Sequence, residues 1–282
     1  MIRCKQVYKT FGHKKVLDGI DFELSNGQIF GLLGPSGAGK TTLIKILTGQ
    51  LSFDGGEVEI FGKSVNTLTG DDKKNIGIMM DSFGVYDRLS CWDNLKLYAD
   101  IYGISKTKVT EALQYVGLEE AKNRLAFNLS KGMEARLRLA RVLLHSPKVM
   151  FLDEPTSGLD PNSMKAIHKR ILEKKKEGCT IFLTTHNMEE AVKLCDTVAL
   201  LNDGKIIECG SVHEICLKYN HKKRMLLHLT TGEDLELDNS LESAKKIYQW
   251  MVTNQIETIH SSEPNLETVF LELVGKTLEE EQ

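Results

Sequence analysis

One glycine-rich stretch constrains the fold of this chain more than any other feature of the sequence. The apolar run Ile29–Leu33 leads into Gly34-Pro35-Ser36-Gly37-Ala38-Gly39-Lys40-Thr41-Thr42, and periodic apolar residues follow up to Gly49. A strand, a glycine loop and a helix in this order are the context in which G-x-x-x-x-G-K-[ST] indicates a phosphate-binding P-loop. The pattern therefore predicts a buried strand, a phosphate-binding loop and a helix.

Each residue type in the loop has a physical role in holding phosphate. Glycines let successive backbone N–H groups turn inward with no Cβ in the way, which makes a nest for an anion. The helix that begins near Gly39 adds the positive end of its dipole. Lys40 supplies a cation for the β- and γ-phosphates, and the Thr41 hydroxyl can reach Mg²⁺. We therefore expect the chain to bind a nucleoside triphosphate.

Length and charge narrow the class of protein. The 282 residues allow one large domain, or a domain with a small appendage. The formal net charge is -3, so the positive footprint of a nucleic-acid binder is missing and no nucleic-acid partner is expected.

The sequence shows neither an apolar run of membrane-helix length nor a signal-peptide core, and this bears on the expected compartment. No apolar run approaches the roughly 20 residues of a membrane helix, and the start of the chain has no signal-peptide core. The six cysteines are expected to be reduced thiols. Any role at a membrane is therefore expected to come through a partner.

The rest of the chain predicts an α/β fold with additions. Residues 2–24 are typical of antiparallel β structure, and residues from about 90 to 146 of an inserted helical block. The fully apolar run Val149–Leu152 is typical of a parallel strand that is buried on both faces. Beyond Gly210 the alternating runs and a final amphipathic helix predict a small α+β appendage.

Two acidic residues at the end of a buried strand narrow the chemistry. Ligands bind at the C-terminal ends of parallel strands, so Asp153 is placed to hold Mg²⁺ through water. Glu154 can orient and deprotonate a water that attacks the γ-phosphate. His186 follows another strand and either hydrogen-bonds a phosphate oxygen as a neutral imidazole or is structural. Hydrolysis is favoured over transfer to an acceptor, because a kinase would exclude water.

Taken together, these segments resemble the nucleotide-binding subunit of ATP-binding-cassette (ABC) transporters over essentially the full chain. Gly34–Thr41 is similar to Walker A, Val149–Glu154 to Walker B, Ser157–Asp160 to the D-loop, and Leu129-Ser130-Lys131-Gly132-Met133 to the signature, usually Leu-Ser-Gly-Gly-Gln. The resemblance implies a P-loop NTPase fold with an antiparallel β subdomain. It places the ABC ATPase domain at residues 1–215, its helical subdomain at about 90–146, and a C-terminal accessory domain at 216–282.

The resemblance also implies roles for single residues. Those roles are MgATP binding for Lys40, Thr41 and Asp153, the catalytic base for Glu154, and γ-phosphate contact for His186. Phe11 stands where the family places an aromatic residue that stacks on adenine.

In that family two subunits pack head to tail, and the signature of each closes the ATP site of the other. Having one P-loop and one signature, this chain would need a second copy or a related subunit. The Ser130 hydroxyl and the Gly132 N–H would then be donors across the interface. An integral membrane permease is the other implied partner and would dock beside Ser82–Leu89. The chain is therefore expected in the cytoplasm, peripheral on the inner face of the membrane.

Two motifs depart from the family pattern. Asp81 occupies the place of the Q-loop glutamine, unless the alignment is displaced by a residue. An unneutralised carboxylate ~4 Å from a phosphate oxygen would cost about 4 kcal/mol at an effective dielectric constant of about 20. We therefore expect Asp81 to act through the metal or to swing away until the site closes. In the signature, Lys131 replaces the first glycine and Met133 replaces the glutamine.

The C-terminal segment favours a subclass. Asn265–Leu273 resembles the Ser-Leu-Glu-x-Val-Phe-Leu-x-Leu ending common in ABC-2 exporters, although an amphipathic helix needs the same apolar spacing. Export of a drug, an antimicrobial peptide or another small molecule is favoured over import. The alternative is a soluble ABC ATPase in translation, repair or immunity. Translation members usually carry two cassettes and repair members long coiled coils, neither of which is present, and the intact Glu154 disfavours a regulator without turnover.

Overall fold

The computed structural model describes residues 1–80, 84–221, 223–261 and 263–280, with side chains up to residue 275. The chain forms two compact units, Met1–Cys209 and Gly210–Gln282. The strands up to the unit boundary are β1 (Ile2–Phe11), β2 (Lys14–Leu24), β3 (Ile29–Leu33), β4 (Gly55–Ile60), β5 (Lys63–Ser64), β6 (Ile76–Met79), β7 (Val149–Asp153), β8 (Thr180–Thr185), β9 (Thr197–Asn202) and β10 (Lys205–Gly210). The helices of the first unit are α1 (Lys40–Leu47), α2 (Gly70–Lys73), α3 (Cys91–Tyr102), α4 (Lys106–Tyr115), α5 (Lys131–Leu143), α6 (Pro161–Lys176) and α7 (Met188–Leu194).

A six-stranded sheet in the order β10-β9-β3-β8-β7-β6 forms the centre of the first unit. Strands β3, β7 and β8 run parallel and are buried along their whole length, which explains their continuous apolar sequences. Their register pairs Leu33 with Thr185 and Asp153 with Thr184. The C-terminal ends of the three strands therefore meet at one edge of the sheet.

The predicted antiparallel structure near the N-terminus is a four-stranded sheet in the order β2-β1-β4-β5. Its Phe22 ring stacks on Phe30 of the central sheet, with ring centroids 4.8 Å apart. Phe30 in turn stacks on Phe182 at 5.5 Å. These buried rings join the two sheets through one apolar core, because aromatic contacts of this kind add to the free energy of burying each ring.

Two polar side chains, Arg141 and His145, join the inserted helical block (α3 to α5) to strand β6 of the central sheet. Arg141 Nη2 donates to the carbonyl oxygen of Ile78 at 2.6 Å, and His145 Nε2 lies 3.1 Å from that of Ile76. On their other side, both contact an aromatic ring of α3. These rings are Tyr98 for Arg141 and Tyr102 for His145. His145 lies two residues beyond the end of α5, and its contacts are displaced from those of Arg141 by one turn of α3 and by two residues of β6.

The second unit contains α8 (Val212–Lys218), β11 (Arg224–Leu229), β12 (Asp234–Asp238), α9 (Leu241–Val252), β13 (Ile256–Ser261) and α10 (Leu266–Glu280). Its three antiparallel strands have the order β12-β11-β13. Among its described residues, the buried apolar side chains are Ile215, Cys216, Leu227, Leu229, Ile247, Leu266 and Val269. The α+β character predicted for this region is present. Among the described residues, none of the helices combines the length and the apolar character that a membrane span requires.

Some elements differ from the sequence-based prediction. Helix α8 was not predicted, although its capping box of Ser211 and Glu214 is readable as S-x-x-E. Helix α2, which has a capping box of Thr69 and Asp72, was also missed. Both helices are short, so neither shows the repeated apolar spacing on which the prediction relied.

Candidate nucleotide-binding site

The P-loop connects β3 to α1 and requires glycine at three positions. Gly37 and Gly39 adopt left-handed backbone angles, with φ of 85° and 112°. A Cβ atom on Gly39 would lie 2.8 Å from the carbonyl oxygen of Val16, and one on Gly34 would collide with that of Leu201. Only glycine satisfies these restraints, so the surrounding strands hold the loop in a shape that leaves room for an anion.

Lys40 is buried along its stem and presents its ammonium group to three oxygens. Its Nζ donates to the carbonyl oxygens of Gly34 and Pro35, at 2.7 and 3.1 Å. The same atom lies 3.3 Å from Oε1 of Glu154. An ammonium group has three donors and no acceptor, so a phosphate oxygen would take the place of one of these contacts.

Asp153 is buried at the end of β7 and accepts from two hydroxyl groups. Thr41 Oγ1 donates to its Oδ2 at 2.8 Å, and Thr184 Oγ1 donates to its Oδ1 at 2.5 Å. Carboxylate and hydroxyl oxygens are hard donors of the kind that Mg²⁺ prefers. The residues expected to hold Mg²⁺ therefore lie together. Thr184 was not identified from the sequence, although it is the register partner of Asp153 on the neighbouring strand.

Glu154 has an unusual backbone conformation for a residue with a side chain. Its φ is 49°, which costs on the order of 1 kcal/mol, and its N–H donates to the carbonyl oxygen of Thr184 at 3.1 Å. Its Oε2 lies 2.7 Å from Nδ1 of His186, while its Oε1 faces Lys40. The backbone turn and these two contacts hold the carboxylate at the P-loop.

A cleft of about 330 Å³ opens beside these groups. It is lined by Val16, Ser36, Gly37, Gly39, Lys40, Thr41, Thr42 and Glu154. A triphosphate bound there would contact the P-loop backbone on one side and the Glu154 carboxylate on the other. Phosphate binding and water activation are therefore available at one place.

The predicted signature and D-loop residues lie next to one another at the starts of α5 and α6. Ser130 is exposed and caps α5, with its Oγ accepting from the Met133 N–H at 3.2 Å. Gly132 is buried against α6, because a Cβ atom there would collide with Ser163. Asp160 caps α6 and accepts from the Ser163 N–H at 3.1 Å. The side chain and the backbone N–H of Ser163 lower the pKa of this carboxyl.

The structure does not bring all the predicted site residues together. Within the described part of the chain, the residues that line the cleft include neither the signature positions 130–133 nor Phe11. Phe11 lies at the exposed end of β1, where Lys9 Nζ is 5.3 Å from its ring centroid. Lys131 is exposed and Met133 is half-buried. Asp81 lies outside the described residues.

The site has the parts of a P-loop nucleoside-triphosphatase. These parts are a buried strand, a glycine loop, a hydroxyl–carboxylate pair and an adjacent glutamate. A family described as "ABC transporter" matches residues 17–157. The chain belongs to the ABC transporter family, in which it is an ATP-binding subunit with ATPase activity.

Individual relatives extend this match to most of the chain. The fluoroquinolones export ATP-binding protein of Mycobacterium tuberculosis is 36% identical over 277 residues, 95% of this chain and 92% of that protein. The methionine import ATP-binding protein MetN of Clostridioides difficile is 36% identical over 236 residues, 80% of this chain and 74% of that protein.

A solved structure, "Structure of ATP binding subunit of ABC transporter", superposes with a TM-score of 0.70 at 26% identity. It covers 78% of this chain and 93% of its own. The predicted P-loop ABC ATPase fold is confirmed.

Proposed function

We propose that two copies of this chain bind MgATP between them and hydrolyse it, and that hydrolysis drives a separate integral membrane permease. The observation that carries the assignment of roles is the Glu154 carboxylate, 2.7 Å from His186 Nδ1 at the P-loop cleft. A carboxylate in this position can accept a proton from a water that attacks the γ-phosphorus. In a variant of this proposal, a related subunit takes the place of the second copy.

Binding would rest on the P-loop. Its backbone N–H groups and the N-terminus of α1 would hold the phosphates, and Lys40 would exchange its Glu154 contact for a phosphate oxygen. Thr41 and Asp153 would hold Mg²⁺, which when bound neutralises charge that develops on the phosphates. Release from Lys40 would leave Glu154 free to bind the attacking water.

His186 would complete the catalytic group. Since an ionised carboxylate only accepts hydrogen bonds, the Nδ1 atom of His186 must donate to Glu154. A second hydrogen bond, from Nε2 to a phosphate oxygen, then requires the imidazolium form, because a neutral ring has one N–H. Both the neutral imidazole expected from the sequence and the imidazolium satisfy the observed contact with Glu154, and the contact of His186 with the γ-phosphate stays a prediction.

The second copy would supply the signature. Ser130 is exposed at the N-terminus of the thirteen-residue helix α5, where the helix dipole favours an anion. Packed head to tail, the Ser130 hydroxyl and the Gly132 N–H of one copy would face the γ-phosphate of the other. Asp160 would lie beside them, and Lys131 would add positive charge.

The permease would bind an apolar surface on the helical block. The N–H of Phe127 donates to the Asp87 carbonyl oxygen at 3.1 Å, which joins two surface segments. Tyr86, Leu125 and Phe127 are exposed there, Phe127 at 78%. An exposed apolar cluster of this kind indicates a protein contact, so this surface supports docking beside Ser82–Leu89. The chain would then be cytoplasmic and peripheral on the inner face of the membrane.

Export of a drug, an antimicrobial peptide or another small molecule is the proposed direction. The exporter subunit of Mycobacterium tuberculosis is similar over nearly the whole chain, including the proposed accessory domain at 216–282, whereas the importer subunit is similar over a shorter stretch. Import is the second candidate, because both relatives are equally identical over the stretches that align. Purification of the permease with this chain, followed by transport into inverted vesicles, decides between the two directions.

The assignment of the base is tested by Glu154→Gln, which preserves the shape of the side chain and removes its basicity. We expect phosphate release to fall about 10²- to 10⁴-fold, with ATP binding retained. Lys40→Ala is the contrasting variant and should lose ATP binding. Phosphate release at the wild-type rate from Glu154→Gln would show that another group activates the water.

A further inference from the structure

Glu190 on α7 is a buried carboxylate outside the proposed catalytic group. Glu190 is 2% exposed, and an isolated charge buried to this extent would cost free energy of folding. Thr156 Oγ1 donates to its Oε1 at 2.5 Å, and His168 Nε2 of α6 lies 3.0 Å from the same oxygen. Its neighbour Glu189 is exposed and pairs with Lys193 at 3.1 Å, so the two glutamates have opposite environments.

Thr185 brings a third donor to Glu190. The Asn187 N–H donates to Thr185 Oγ1 at 3.0 Å, and the Glu190 N–H donates to Asn187 Oδ1 at 3.1 Å. The Thr185 hydroxyl is thereby left to face the Glu190 carboxyl, whose pKa it lowers as a donor. Glu190 occupies the third position of α7, from which a capping box would reach the N-cap N–H directly. Here the Thr185 hydroxyl lies between the Glu190 carboxyl and the N–H of the N-cap residue Asn187.

These donors belong to the two chain segments that carry the catalytic pair. Thr156 follows Glu154 by two residues, and Thr185 immediately precedes His186. We propose that Glu190 is a positioning residue that fixes Glu154 and His186 relative to each other. This inference rests on the proposed function of that pair.

The charge of Glu190 is suited to this role. Burial raises the pKa of its carboxyl, but the hydrogen bonds from His168, Thr156 and Thr185 outweigh burial and leave the pKa below its ordinary value. The group is therefore ionised near neutral pH and accepts from Thr156 and His168. A glutamine would keep the shape and could keep both hydrogen bonds at Oε1, but it would lose the negative charge and turn an NH₂ donor toward the Thr185 hydroxyl.

The first test compares Glu190→Gln with its exposed neighbour variant Glu189→Gln in steady-state ATPase assays of the full chain. Because small misplacements of catalytic groups are costly, we expect Glu190→Gln to lower kcat about tenfold to hundredfold and to leave KM for ATP nearly unchanged. Glu189→Gln should match the wild type. Wild-type kcat in Glu190→Gln, or a loss confined to KM, would overturn the inference.

The second test separates positioning from general stability. In the His186→Ala background, measured by single-turnover hydrolysis, Glu190→Gln should cause little further loss, because its effect passes through the pair. An undiminished further loss would show a structural role only. If Glu190→Gln does not fold, Thr156→Val and Thr156→Ser replace it, and only the valine variant should lose kcat.

Failure of this inference differs from failure of the proposed function. Glu154→Gln is measured in the same assays. Wild-type turnover in Glu154→Gln refutes the proposed base itself. Loss of turnover in Glu154→Gln together with full activity in Glu190→Gln refutes only the positioning role.

Discussion

The Nδ1 atom of His186 lies 2.7 Å from Oε2 of Glu154, although the two residues are 32 positions apart in the sequence. The parallel register of β7 and β8 produces this contact, because it pairs Asp153 with Thr184 at the ends of the two strands. Glu154 follows Asp153 by one residue and His186 follows Thr184 by two, so the two side chains meet just beyond the strand ends. The register at the sheet edge therefore brings Glu154 and His186, from two separate motifs, together as one proposed catalytic pair.

Gly39 is predicted to be essential for nucleotide binding. In Gly39→Ala, the new Cβ would lie 2.8 Å from the Val16 carbonyl oxygen on a backbone with φ of 112°, so the loop must shift. We expect the affinity for ATP, measured by equilibrium titration, to fall at least about tenfold.

Gly62→Ala is the matched control for that variant. Gly62 has φ of 74° with open space around it, so only backbone strain of about 1 kcal/mol is expected, as a lower free energy of unfolding. An unchanged affinity in Gly39→Ala would contradict the role given to the loop shape.

His145 is predicted to make stability depend on pH. Burial lowers the pKa of this side chain below its ordinary value of 6.5, and its Nδ1 is buried with no hydrogen-bond partner among the described residues. A protonated ring would place an N–H there without an acceptor. The unfolded chain therefore binds a proton at a higher pH than the folded chain does. The stabilisation is complete above about pH 6.5 and falls below it, by at most about 1.4 kcal/mol per pH unit.

The measurement for His145 is thermal unfolding at about pH 7.5 and at about pH 5.5. In His145→Gln, which can still donate to the Ile76 carbonyl oxygen, the fall in Tm on acidification should be smaller than in the wild type. The exposed residue His13 provides the control His13→Gln, which should behave like the wild type. An equal fall in Tm for His145→Gln and the wild type would exclude His145 as the group responsible.

The sequence was informative where a function depends on neighbouring residues. The P-loop and the Asp153-Glu154 pair are contiguous, so their residue types and spacing predicted both the elements and the chemistry. His186 was identifiable because it follows an apolar strand. Phe11 was proposed from the family pattern alone, and its contact with adenine stays a prediction.

The residues that were missed depend on contacts between distant segments. Thr184 sits in a β-branched strand and looks like a core residue until the register places it beside Asp153. Glu190 follows another glutamate on a short helix, and its buried contacts come from distant segments, from Thr156 and from His168 of α6. No periodicity within one segment distinguishes such groups from surface residues, since the partner decides their environment.

In the proposed function each ATP site is built from two copies of the chain, and mixing two inactive variants tests this arrangement most directly. Ser130→Arg should bind ATP and lose hydrolysis, because the arginine blocks closure of the other copy's site, and Glu154→Gln lacks the base. In a mixed pair, one site combines an intact Glu154 with an intact Ser130. A one-to-one mixture should therefore recover about a quarter of wild-type phosphate release, as random pairing of two copies predicts. Phosphate release no greater than that of the two separate variants would contradict the shared site.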